Sequence, residues 1–268
     1  MKLVVGFLFL LLSINTNAQK KAVEVVKIYK ENIVYIHLKN NTDVNYSAEL
    51  NIHSGYNYEK DKETPLLTVL APKEQKLLVT VTRSTKKKSD FSTSFTYVVG
   101  NINAKHNDNY VYDLPYAKGS SFSVNQGYDG SFSHKGQNFL DFTMPINTPI
   151  HAIRDGIVIK VKKDSKKGCP TISCVDDGNY IWIEHDDGTI AEYVHLRYRG
   201  TALKLGNRVK KGQKIAFSGN TGFSQAPHLH MGVFINQVNG ERITIPIKFN
   251  VDNTEAIELK KGDNYIKP

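Results

Sequence analysis

The chain has 268 residues, 40% hydrophobic and 23% charged, enough apolar material to bury a core as one large or two smaller domains, which excludes wholesale disorder. Its formal net charge is +9. That balance raises nucleic acid as a partner, but no nucleic-acid-binding motif accompanies the basic residues, and neither a dinucleotide fingerprint nor a phosphate-binding loop occurs.

The first eighteen residues, MKLVVGFLFLLLSINTNA, set Lys2 before an apolar run from Leu3 to Leu12 and a short polar stretch closing on Ala18. This is the three-part layout of a secretory signal peptide, with cleavage expected before Gln19. Ten apolar residues are too few to cross roughly 30 Å of hydrocarbon, so a membrane anchor is not expected. No cysteine follows the run to carry a lipid. The mature chain is expected to be exported, to the periplasm or the extracellular space, where wall polymers and lipid head groups are the polyanions. Lysine clusters at 86–88, 160–167 and 208–214 would contact such envelope polymers peripherally, or would only keep the protein in solution.

From Ala22 to about Val99, six runs alternate apolar and polar residues: AVEVVKIY, NIVYIHLKN, YSAELNIHS, LLTVLAP, KLLVTVTR and FSTSFTYVV. Turn-forming residues separate them and no helical period persists, as in a small antiparallel β-sandwich. His37 and His53 fall in these strands without acidic or imidazole neighbours in sequence and are assigned no role. Residues 101–133 are rich in Asn, Gly, Ser and Tyr and read as a connector followed by a surface loop, in which Tyr128 and Phe132 are candidates to line a cleft.

A second β-rich region follows. NYIWIEH and TIAEYVHL flank DDG, a strong hairpin signal, and KIAFSG precedes a further turn. The two cysteines, Cys169 and Cys174, lie five apart, and in an oxidising compartment a local disulfide is the expected pairing.

Five residues carry the candidate chemistry: His134 and Asp141 in SHKGQNFLDF, His195 in AEYVHL, and His228 and His230 in PHLHMGVF. Each alone has a plain structural explanation. If HLHMGVF is extended, both imidazoles share one face and Leu229 takes the other. A catalytic zinc takes three protein ligands from His, Asp or Glu and leaves a position for water, while spare imidazoles serve proton transfer and oxyanion binding. No HExxH occurs, so a helix-based zinc hydrolase is excluded and a strand-based site remains.

From about Gly127 to Phe234 the sequence resembles the M23 zinc metalloendopeptidases, the lysostaphin-like and LytM-like peptidoglycan hydrolases. The resemblance rests on an ordered series: SHKGQNFLDFTMPINTPIHAIRDGIVI, then YVHL, then RVKKGQKIAFSGNTGFSQAPHLHMGV. It implies that His134, Asp141 and His230 bind Zn2+ and that His195 and His228 flank the attacking water and the scissile carbonyl. Two positions depart from the family pattern. Six residues separate His134 from Asp141 where three are commonest, an excess that a loop or bulge can absorb, and Asn147 replaces the usual Gly before Thr-Pro. Asn tolerates a left-handed backbone better than other non-glycine residues. Tyr193 is expected to pack, and His151 and His185 to lie at the surface.

The expectation is an all-β chain: a signal peptide at 1–18, an N-terminal β-sandwich-like accessory domain at 19–112, an antiparallel M23-type metallopeptidase domain at 113–250 and a C-terminal tail at 251–268. The implied activity is hydrolysis of amide bonds in peptidoglycan stem peptides or cross-bridges. Its rival is a non-catalytic module that activates another wall hydrolase. Peptidoglycan or another peptide is the expected partner and nucleic acid is not.

Overall fold

The structure, a computed structural model, describes residues 21–251 and 255–268; the expected signal peptide lies outside the described residues. The N-terminal unit contains β1 (Val23–Lys30), β2 (Ile33–Asn40), β3 (Tyr46–Tyr56), β4 (Tyr58–Lys60), β5 (Leu66–Leu70), β6 (Gln75–Arg83) and β7 (Asp90–Val99). They form a four-stranded sheet in the order β1-β2-β6-β4 and a three-stranded sheet in the order β5-β3-β7. Alternation in the sequence drives this arrangement: in β2 the burial alternates residue by residue, sending Val34, Ile36 and Leu38 inward. Those side chains share one core with Ala48, Leu50 and Leu70 of the other sheet. Each such fully buried aliphatic side chain contributes about 1.5–3 kcal/mol. All six expected strands are present, with β4 added.

The remainder contains β8 (Val111–Tyr112), β9 (Ser121–Gln126), β10 (Phe139–Thr143), β11 (Pro149–His151), β12 (Gly156–Lys162), β13 (Gly168–Cys169), β14 (Tyr180–Glu184), β15 (Ile190–Val194), β16 (Arg208–Val209), β17 (Lys214–Phe217), β18 (Gly222–Phe223), β19 (His228–Asn236), β20 (Arg242–Ile245), β21 (Lys248–Phe249) and β22 (Asn264–Ile266). Nine of these make one sheet in the order β16-β12-β14-β15-β19-β10-β9-β22, with β20 also on β19. The only helical segment among the described residues is the 3-10 turn Ile172–Asp177. The fold is all-β, as the sequence predicts, and β14 and β15 form the hairpin signalled by DDG.

Period-two alternation divides the large sheet into two faces. Leu140, Phe142, Ile181, Ile183, Ala191, Tyr193, Leu229, Met231 and Val233 point into the main core. Their neighbours Phe139, Trp182, Ile190 and Phe234 point the other way and pack with Val44 and Val99 of the N-terminal unit. Two hydrogen bonds join the units there: Asn45 Nδ2 donates to Glu184 Oε2 at 3.0 Å and Asn236 Nδ2 to the Val99 carbonyl at 2.9 Å.

Of residues 251–268, read from sequence as a tail, the described stretch 255–268 is part of this fold. Leu259 enters the main core, β22 pairs with β9, and the Tyr116 hydroxyl donates to the Tyr265 carbonyl at 2.7 Å. Cys169 and Cys174 form the expected disulfide. His185, expected at the surface, is buried at 4% exposure because it turns the β14–β15 hairpin inward, its Nδ1 2.9 Å from Thr189 Oγ1.

Candidate metal centre and cleft

The histidine pair begins β19, and the extended backbone does what the spacing predicts: Leu229 is fully buried while His228 and His230 share the opposite face. Antiparallel pairing with β10 sets Asp141 opposite His230, and pairing with β15 sets Val194 opposite His230 on the other side. His134 reaches the same point from the loop before β10. That loop absorbs the long His134–Asp141 spacing through a tight turn in which the Gln137 amide bonds the His134 carbonyl at 2.8 Å.

Three ligand-type atoms converge. His230 Nδ1 lies 2.9 Å from Asp141 Oδ1, His134 Nε2 lies 3.3 Å from the same oxygen, and the two nitrogens are 3.2 Å apart. His134, Asp141 and His230 are thus placed as a group able to hold a metal ion. Two imidazoles and one carboxylate, all borderline or hard donors, suit zinc better than a soft thiolate-preferring ion. Asp141 and His134 are almost wholly buried, so the cluster has little solvent to satisfy it. Burial alone would raise the Asp141 pKa, but hydrogen bonds with His134 and His230 hold it well below the usual carboxylate range. Burial opposes charge on His230 too, yet Asp141 and Glu192 raise its pKa to about 9.

Each imidazole has one nitrogen committed away from the cleft. Carbonyl oxygens only accept, so the ring nitrogen facing one must carry hydrogen. His134 Nδ1 donates to the Gly127 carbonyl at 3.1 Å, His195 Nδ1 to the Thr221 carbonyl at 2.7 Å and His228 Nδ1 to the Ala226 carbonyl at 2.8 Å. In the neutral rings of His195 and His228 the Nε2 atoms are left without hydrogen, and both residues border the cleft. The two rings stand 4.4 Å apart, and His228 Nε2 is 3.8 Å from Asp141 Oδ1. Burial, with the neighbouring His228 and His230, pushes the His195 pKa down to about 3, and burial lowers that of His228 despite Asp141. Both rings are neutral at pH 7.

His195 reaches the cleft by breaking the strand pattern. β15 ends at Val194, and His195 has φ +60°, which swings its ring away from the core that Tyr193 enters. The Tyr193 hydroxyl accepts a hydrogen bond from the Ile153 amide at 2.9 Å, so it packs as expected. Gly219 permits the close approach that this kink needs: a Cβ there would lie 2.4 Å from the Arg197 nitrogen. Asn147 adopts φ +76°, the conformation its replacement of glycine requires.

Sequence reasoning missed several residues that hold the site. Glu192, buried at 3% exposure, sets Oε1 3.7 Å from His230 Nε2 and is clamped by Arg242 Nη1 at 2.9 and 3.1 Å from its two oxygens. Gln126 Nε2 donates to Asp141 Oδ2 at 3.0 Å. The alternation of AEYVHL was the available signal for Glu192, since it shares a face with Val194 and not with Tyr193. The 50-residue separation from Arg242 hid its partner. A cavity of about 500 Å³ opens over the cluster, bordered by Phe132, Phe223, His195 and His228. Tyr128 does not line it; its hydroxyl donates to the Ile247 carbonyl at 3.1 Å.

The chain is similar to known proteins over the stretch that carries these residues. The model of peptidase family M23 matches residues 133–243. The peptidoglycan DD-endopeptidase ShyA of Vibrio cholerae is 32% identical over 124 residues, 46% of this chain and 26% of that protein. The glycyl-glycine endopeptidase ALE-1 of Staphylococcus capitis is 35% identical over 111 residues, 41% of this chain and 28% of that protein. The chain thus matches about a quarter of the length of these curated relatives. Among solved structures, the catalytic domain of lysostaphin from Staphylococcus simulans is 28% identical and aligns with 47% of this chain and 87% of that one, at a TM-score of 0.35. The ordered segments and the residues His134, Asp141, His195, His228 and His230 lie within the matched stretch, and the family model identifies residues 133–243 as a peptidase family M23 domain.

Proposed function

We propose that the chain is an exported zinc metalloendopeptidase that hydrolyses amide bonds in peptidoglycan stem peptides or cross-bridges, with residues 113–250 as its catalytic part. The observation that carries this reading is the convergence of His134 Nε2, Asp141 Oδ1 and His230 Nδ1 beside two further imidazoles with hydrogen-free Nε2 atoms. These three side chains would hold the metal. When bound, zinc supplies Lewis-acid polarisation of a carbonyl and a water of lowered pKa.

The other residues account for the proton. His195 and His228 are neutral and keep their outer nitrogens fixed on backbone carbonyls, so each can accept a proton only at Nε2, within the cleft. Once protonated there, the ring becomes a donor aimed at the same space. The pair therefore divides two tasks: accepting the proton of the attacking water, and hydrogen-bonding the developing oxyanion. Gln126 fixes the Asp141 carboxylate, and Glu192 faces the outer nitrogen of His230. The matched relatives ShyA and ALE-1, named as endopeptidases, support the substrate class.

The test is zinc content and loss of turbidity of purified cell walls, for the unsubstituted chain and for His195→Ala, His228→Ala and Asp141→Ala. The reading predicts about one zinc per chain and wall clearance that the three variants lack. Absence of zinc with retention on the wall and no clearance would favour the non-catalytic alternative.

A further inference from the structure

Beyond the ligand cluster the cleft continues into a second cavity of about 460 Å³, bordered by Lys160, Lys162, Trp182, Glu192 and Arg242. Register brings the lysines there. β12 and β14 pair with a bulge between Val158 and Lys160, so Lys160 stands opposite Trp182 and Lys162 opposite Tyr180, on the face that carries His230. Bulges re-aim side chains in this way. The Lys160 ammonium lies 4.5 Å from the Trp182 ring centre and 5.4 Å from that of Tyr180, and the Arg242 guanidinium lies 4.7 Å from the same indole.

The three cations differ in what already holds them. Arg242 is clamped on Glu192, and Lys162 Nζ donates to the Asp176 carbonyl. Lys160 makes no hydrogen bond or close ion pair among the described residues; it rests on its two aromatic contacts and feels Glu192 and Arg242 only through space. Partial burial and the charge of Arg242 push its pKa down, a cost that an incoming anion would relieve. Of the acids around the cavity, Glu192 is paired with Arg242 and Asp176 is exposed within the 3-10 turn. The first cavity is different in character: Asn125, Gln126, Ser131 and Gln225 surround a single lysine, Lys261.

We infer that Lys160, with Lys162 and Arg242 around Trp182, forms a carboxylate-binding subsite, so that the substrate on this side of the scissile bond is an acidic peptide. This rests on the peptidase reading above and sharpens it. The matched relatives include both a DD-endopeptidase and a glycyl-glycine endopeptidase. A glycine run has no side-chain charge to offer these cations, and covering them with it would cost hydration without return. A peptide bearing a free carboxylate gains a charge-assisted hydrogen bond instead.

The experiment is calorimetric binding to the full chain carrying His228→Ala, supplied with zinc. Two synthetic peptides, L-Ala-γ-D-Glu-L-Lys-D-Ala-D-Ala amide, differ only in a free or amidated D-Glu α-carboxylate. The free acid is expected to bind about ten-fold more tightly. In the same background, Lys160→Gln with Lys162→Gln should shrink that preference to within about two-fold, as should high salt. Equal affinities, no binding of either peptide, or a preference that survives the double substitution would overturn the subsite. Wall clearance by the unsubstituted chain is read separately. Clearance without carboxylate preference removes the subsite alone, whereas preference without clearance or zinc removes the peptidase reading alone.

Discussion

The N-terminal unit and the large sheet are both antiparallel β structures, yet they bury different things. Among the described residues below residue 100 the buried polar side chains are Asn40, Ser47 and Thr68, none of them ionisable. Beyond residue 133 the buried set includes His134, Asp141, Arg154, Glu184, His185 and Glu192. Burying charge is costly unless it is paired and hydrogen-bonded, so a fold that does it repeatedly in one sheet is holding those groups for chemistry or for linkage between parts. The first unit is an apolar core with a polar coat. The second spends some of its packing on a polar network whose members face a cleft or the contact between units.

That contrast predicts a graded series of outcomes. His228→Ala should lower wall hydrolysis by about a thousand-fold while zinc stays bound, because the ring handles a proton and is not among the three converging ligands. Equal loss of zinc would move His228 into the ligand set. Glu192→Gln should weaken zinc binding by about ten- to a hundred-fold in competition with a chelator, through looser orientation of His230, and unchanged affinity would reduce the Arg242–Glu192 pair to packing.

Glu184 tests the contact between units. Burial raises its carboxyl pKa to about 7, and the hydrogen bond from Asn45 only partly offsets this. The folded state therefore holds the proton more tightly than the unfolded chain does. Its contribution is complete below the ordinary carboxyl pKa near 4.5 and is lost as the pH rises through about 7. Glu184→Gln should remove most of that slope, gaining about 2–3 kcal/mol at pH 8 relative to pH 4.5 in urea denaturation. A slope shared equally by both proteins would assign the dependence elsewhere. Reduction of Cys169–Cys174 should cost about 2 kcal/mol at most, since it closes a short loop. At the small end, His53→Ala should leave zinc content and clearance unchanged, because its Nε2 meets only Ser94 Oγ on an exposed strand.

Legibility in the sequence followed the range of the interaction. β2 and the β14–β15 hairpin were readable because alternation and an Asp-Gly turn act within a few residues. The His228–His230 face was readable for the same reason. Tyr193 and His195 were not separable by alternation, since only the left-handed backbone at His195 sends the two side chains to opposite sides. Glu192 with Arg242, Lys160 with Trp182 and β22 with β9 depend on strand register and on partners that are distant in sequence. His185 looked like a hairpin surface residue until the turn folded inward onto Tyr112.

The central claim is that the buried polar network around His134, Asp141 and His230 cuts peptide amide bonds in the wall with the help of His228. The most direct test is mass spectrometry of the fragments released from purified peptidoglycan by the zinc-supplied chain, with His228→Ala in parallel. The account predicts new amino and carboxyl termini within stem peptides or cross-bridges for the unsubstituted chain and intact cross-links for the variant. Identical fragment profiles from the two proteins, or products cut only in the glycan strand, would contradict it.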